Sequence, residues 1–226
     1  MNTIKRLQTP AGFVAILWVM FLGSLSITPA SAAPVTFNFA GTVTSVGSSL
    51  GASPFGSGPI LLSGSYTFTP PTPNTGTGSP IATYNNTISN LTFQLGTYSN
   101  TPGTITPNSI IVANNFLGGD AYLVASRFSG PAVNGRNPLA FEIDLLGNSN
   151  AFANNSLPTT PPSLSSFTTQ TFRILFTGGG HTLVLGTLTS LTAVPLPTAI
   201  LLFGAGLVAL VGLGAGSWRQ RKSRLA

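Results

Sequence analysis

Glu142 and Asp144 are the residues best spaced to do chemistry together. Two positions apart in LAFEIDL, residues 139–145, they would project from one face of a β-strand with Cα atoms about 7 Å apart. Two carboxyl groups can run glycoside hydrolysis when they flank a sugar. With Asp120 and main-chain oxygens they could instead cradle a calcium ion, which takes roughly six to eight oxygens. Neighbours on one strand rarely flank a substrate, so the competing reading is a solvated strand face, paired across strands with Arg173 or Arg127. The three acids named here are the only ones in the chain.

The single histidine, His181, follows Gly178, Gly179 and Gly180, where a hairpin would join two apolar runs. Acid–base or nucleophilic catalysis would need it beside a serine and an acid, and no spacing points to that. A solvent-facing turn histidine is the plainer reading. The glycine run mimics a phosphate-binding loop but lacks the Lys-Ser/Thr that should follow it. Tyr66, Tyr84, Tyr98 and Tyr122 could stack on sugar rings if they shared one exposed face; otherwise they are core. Asn85, Asn90 and Asn154 fall in Asn-x-Ser/Thr sequons, which chance supplies readily in an Asn- and Thr-rich chain. These residues predict a protein that is not an enzyme and holds no cofactor.

The elements that must carry them read as strands. In TFNFAGTVTSV, Phe37, Phe39 and Val43 oppose Thr36, Asn38, Thr42 and Thr44; LLSGSYTF, SNLTFQLG and LAFEIDL alternate in the same way. Further candidates lie at 109–113, 121–128, 171–176 and 182–191. One greasy and one wet face fits antiparallel sheets packed on a core. Between them, GASPFGSGP, TPPTPNTGTGSP, TPGTITPNS, SGPAVNGRNP and NNSLPTTPPSLSS are turn formers that oppose helix. About eight short strands predict an all-β, antiparallel β-sandwich of jelly-roll or Greek-key type over residues 33–193. With few charges to guard its edges, such a sandwich is expected to associate readily.

Charge and the two ends set the context. The formal net charge of +6 suggests an anionic partner, but Lys5 and Arg6 lie at the N-terminus and Arg219, Arg221, Lys222 and Arg224 at the C-terminus. Arg127, Arg136 and Arg173 remain to balance the three acids, so residues 33–193 are neutral and nucleic acid is not an expected partner. No cysteine occurs, so packing alone must hold the domain.

Lys5 and Arg6 precede an apolar segment ending at Leu25, and Ala30-Ser31-Ala32 follows. Residues 1–32 therefore read as a secretory signal peptide cut before Ala33. At the other end, residues 198–218 carry no charge and are long enough for a membrane helix. Trp218 meets the headgroup layer, and the basic residues 219–226 stay cytoplasmic. Gly212 and Gly216 form a small-xxx-small pair of the kind that can seat a second helix. Val194, Pro195, Leu196 and Pro197 form an extended collar before the helix, because proline fixes φ and biases its predecessor to extended conformations.

This C-terminus resembles the PEP-CTERM sorting signal of bacterial exosortase substrates. Pro195, Leu196 and Pro197 stand at the Pro-Glu-Pro positions, with Leu196 in place of the usual Glu. Leu201, Leu202, Phe203 and Gly204 match the start of the family's helix, and Arg219 to Arg224 its basic end. The resemblance implies export, an inner-membrane-anchored intermediate, cleavage near the motif by an exosortase-like enzyme, and delivery to the cell surface or medium. It also implies a link to exopolysaccharide or biofilm. The alternative is a carbohydrate-binding or calcium-stabilised adhesion module that stays anchored in the periplasm.

Overall fold

The computed structural model describes residues 33–70, 79–148, 150–178 and 182–194. The expected signal peptide, most of the expected sorting motif, the expected membrane helix, the basic residues 219–226 and His181 lie outside them. Among the described residues no helix is long and apolar enough to cross a membrane. Among the described residues the alternation of apolar and polar residues becomes ten strands: β1 (Val35–Val46), β2 (Leu61–Phe68), β3 (Ile81–Asn85), β4 (Ile88–Leu95), β5 (Tyr98–Ser99), β6 (Thr101–Phe116), β7 (Gly119–Ser129), β8 (Pro138–Asn148), β9 (Phe167–Phe176) and β10 (Leu183–Ala193). Single 3-10 turns stand at Ser48–Leu50 and Leu164–Ser166.

Eight strands close into an antiparallel barrel in the order β1-β2-β4-β6-β7-β8-β9-β10. Around that ring each strand follows its predecessor in the chain, with the short β3 and β5 as excursions, so the barrel is of the up-and-down kind. This corrects the expected sandwich. A sandwich leaves strand edges open on both sheets, whereas here β10 returns along β1 from Val46↔Val184 to Phe37↔Ala193, and β6 reaches β4 at Leu91↔Gly103. Closure also removes the edges of the eight ring strands, leaving unpaired edges on the short β3 and β5.

The interior is filled with rings, as befits an eight-stranded barrel whose lumen is about one side-chain layer wide. Phe141 of β8 stacks on Phe39 of β1 with ring centroids 5.0 Å apart and on Phe93 of β4 at 5.2 Å, bridging the lumen. Phe37, Tyr66, Phe68, Tyr122, Phe172 and Phe176 are buried around this stack. Phe172 lies where side chains on Gly41 of β1 and Gly186 of β10 would stand. Those two glycines let a bulky ring sit against both strands.

The seam between β4 and β6 is built differently from the rest. TPGTITPNS, expected to be a turn, belongs instead to β6, whose register against β7 slips between Thr101 and Ile105 and again between Ile105 and Asn108. Pro102 and Pro107 cannot donate to a ladder, and buried asparagine side chains stand in for the missing strand bonds. Asn108 accepts the Ile88 N–H at 2.9 Å and donates to the Ile88 carbonyl at 3.1 Å. Asn100 accepts the Phe93 N–H at 2.6 Å and donates to the Leu91 carbonyl at 3.0 Å.

Candidate functional sites at the two rims

Strand directions sort the connections between two rims. β1 begins and β10 ends at the near rim, where the Val194 N–H donates to the Thr36 carbonyl at 3.0 Å, so Ala33 and Val194 leave the barrel together. The far rim carries the β1–β2, β4–β5, β7–β8 and β9–β10 connections. Of the residues expected to carry sorting and cleavage, Ala33 and Val194 are described and exposed. Ala30, Ala32 and Pro195 to Pro197 lie outside the described residues, as do Arg219, Arg221, Lys222 and Arg224.

The three acids do not converge. Glu142 and Asp144 point outward on β8, and Arg173 of β9 bridges them through Nη2, at 2.8 Å from Glu142 Oε2 and 2.9 Å from Asp144 Oδ2. Direct pairing of Glu142 with Arg173 across the strands sets this geometry. Asp120 faces the interior at the near rim and is buried. Its Oδ1 accepts the Asn115 N–H at 2.7 Å, and its Oδ2 accepts those of Ala151 at 2.7 Å and Phe152 at 2.9 Å. Its carboxylate therefore pins the β6–β7 turn to the start of the β8–β9 loop. Among the described residues no three metal-ligating side chains gather, because the strand pleat puts Asp120 on one face of the sheet and the other two on the opposite face.

The four tyrosines are buried and form no exposed sugar platform. Tyr66 and Tyr122 meet inside the barrel with hydroxyl oxygens 2.9 Å apart. Burial raises the pKa of both, and for Tyr66 the neighbouring Tyr122 raises it further. Tyr84 donates to the Asn155 carbonyl at 3.0 Å. Tyr98 differs: among the described residues its buried hydroxyl has no hydrogen-bond partner, and burial pushes its pKa up to about 12.

Tyr98 lines a far-rim cleft of about 480 Å³. The β1–β2 loop (Leu50 to Pro54) forms one wall, Thr97 to Ser99 the floor, and Pro131 to Asn134 the other wall. In that second wall Asn134 and Gly135 turn the chain at positive φ, 47° and 73°, between the bridged Val133 and Arg136. The Asn134 side chain then donates to the Ser49 carbonyl at 3.1 Å, tying the walls together. The Asn-Gly pair is a legible turn signal. What it faces is set by tertiary structure, and no local signal in the sequence marks the cleft. Comparison with protein-family models, curated proteins and solved structures finds no match to the chain.

Proposed function

We propose that the chain is an exported structural protein of the cell surface or extracellular matrix. Residues 1–32 direct its export, and an exosortase-type membrane enzyme sorts it through the PEP-CTERM-like signal that begins at Val194. The supporting observation is the common exit of Ala33 and Val194 at one rim. The sorting motif follows directly on the last barrel strand. A membrane segment after it would tether the barrel by that rim and leave the far rim facing outward. The barrel works as a stable body rather than a catalyst: its acids are engaged with Arg173 or with backbone N–H groups.

Intact-mass analysis of protein from envelope and medium of a host carrying the sorting enzyme tests this, with Pro195→Ala/Pro197→Ala alongside. The expected product starts at Ala33, ends within residues 194–197 and is lost in the variant. A product that keeps Arg224 in both strains would overturn the sorting step.

A further inference from the structure

We propose that the β6–β7 turn dips into the lipid interface at the near rim, with Phe116 and Leu117 as its apolar tip. Phe116↔Gly119 is the last pair of this hairpin, so Leu117 and Gly118 are the two turn residues, at φ 52° and 81°. A two-residue turn with positive φ at both positions favours Asn-Gly, because a bulky side chain is strained there. The far-rim turn of this same chain follows that preference with Asn134 and Gly135, at φ 47° and 73°. At the near rim a leucine stands in the asparagine's place and is 92% exposed, next to a Phe116 that is 42% exposed. Leu117 gains almost no burial from the fold and still holds a strained backbone. Strain at an exposed apolar residue points to a partner outside the fold. Asp120 fixes the tip, since its carboxylate accepts the Asn115 N–H at 2.7 Å.

Position and charge select lipid as the partner. In the ring order the β6–β7 turn stands opposite the β10–β1 junction, where Val194 leaves the barrel. Residues 195–197 alone separate Val194 from the uncharged run 198–218, a span of at most about 14 Å when fully extended. The chain exit therefore holds one side of the near rim close to the bilayer, and the tip meets it on the opposite side. Two such contacts fix the tilt of the barrel where one would leave it free to swing. The segments joining strands at this rim, residues 69–80, 117–118 and 149–166, contain no charged residue, and Asp120 is buried. Insertion thus desolvates no exposed charge, and no basic cluster is there to attract anionic lipid. The contact is hydrophobic and independent of lipid charge. The inference rests on the reading of residues 198–218 as a membrane segment, which vesicle flotation tests separately.

The chain has no cysteine, so single reporters can be placed by Asn148→Cys, at an exposed residue paired with Gly119 beside the tip, and by Ser53→Cys at the exposed far rim. The full chain, labelled with an environment-sensitive fluorophore, is reconstituted into phosphatidylcholine vesicles with and without phosphatidylglycerol, each carrying a shallow spin-labelled lipid as quencher. Quenching is expected at position 148, equal in both compositions, and absent at position 53. Leu117→Asn should remove most of the quenching at 148 while leaving the urea midpoint unchanged or higher, because asparagine suits the positive φ. A lower midpoint would make Leu117 a residue that serves the fold and would overturn the proposal. So would a reporter at 148 as water-exposed as the one at 53, quenching that needs the anionic lipid, or shielding that grows with protein density, the mark of a second copy in place of lipid. A chain that does not float with vesicles overturns the membrane segment and the tip together, whereas a floating chain with a water-exposed tip overturns the tip alone.

Discussion

Asp120 accepts three backbone N–H bonds while 2% exposed, which makes its carboxylate a structural part rather than a ligand set. Asp120→Ala would strand three donors and should destabilise the full chain by about 3 kcal/mol or more in urea unfolding. Asp120→Asn keeps one acceptor oxygen and should lose less. The Arg173 bridge is worth under about 1 kcal/mol, because its side chain is 44% exposed and solvent screens the pairs. The tyrosines give a pH signature. Tyr66, Tyr84, Tyr98 and Tyr122 all have pKa values raised above the ordinary 10.0 by burial, so the folded state holds protons that the unfolded chain releases. Their contribution is complete below pH 10 and declines above it, for Tyr98 through about pH 12. Urea unfolding at stepped pH should find no tyrosine-linked loss of stability below pH 10 and a fall above it, with tyrosinate absorbance appearing together with unfolding. Tyrosinate absorbance near pH 10 in the still-folded protein would contradict this.

Strands show where side chains replace backbone bonding. The β4–β6 seam has one backbone register pair, and Asn100 and Asn108 supply the remaining closure. Asn108→Ala leaves the Ile88 N–H and carbonyl buried without partners and should cost about 2 kcal/mol, whereas alanine at exposed Asn85 should change stability by less than about 0.5 kcal/mol. Gly186→Ala would drive a methyl group into the Phe172 ring and the Thr42 carbonyl, for a loss of about 1–3 kcal/mol by overpacking. Chemical denaturation measures all three. The barrel strands were legible wherever period-2 alternation runs through them: Phe37 and Phe39, Leu62 and Tyr66, and Phe141 and Ile143 are all buried. β3 was not legible, since IATYN is too short to establish a period, although its Tyr84 read as a core tyrosine and is buried. Pro102, Gly103 and Pro107 made the first half of β6 read as a turn. They are tolerated because the seam asks little of the β6 backbone.

At the scale of the whole molecule, alternation cannot distinguish a sandwich from a barrel, since both bury one face of every strand. Closure depends on β10 finding β1 and on β6 finding β4, and only tertiary structure specifies those pairings. The same limit applied to the cleft, which three connections assemble from residues that are unremarkable one at a time. Closure also organises the surface. All six charged residues of the barrel, Asp120, Arg127, Arg136, Glu142, Asp144 and Arg173, lie on β7 to β9 or the β7–β8 loop. The β1–β2–β4 wall carries hydroxyl pairs instead, Thr36 with Thr67 at 2.8 Å and Ser65 with Thr92 at 3.1 Å. A neutral wall keeps water through hydroxyls but has no charged gatekeepers, so its protection against strand pairing rests on the ring staying shut. The weakest point of that ring is the seam, where backbone pairing is sparsest, and local opening should begin where the fewest bonds must break. Native-state hydrogen exchange should therefore find the central amides of β1, β8, β9 and β10 slowest and those of β3, β5 and residues 101–107 fastest. Asn108→Ala should speed exchange along β4 before it touches β9. Uniform acceleration of all strands in that variant would mean that the barrel opens only as a whole and that the asparagine seam is not its point of entry.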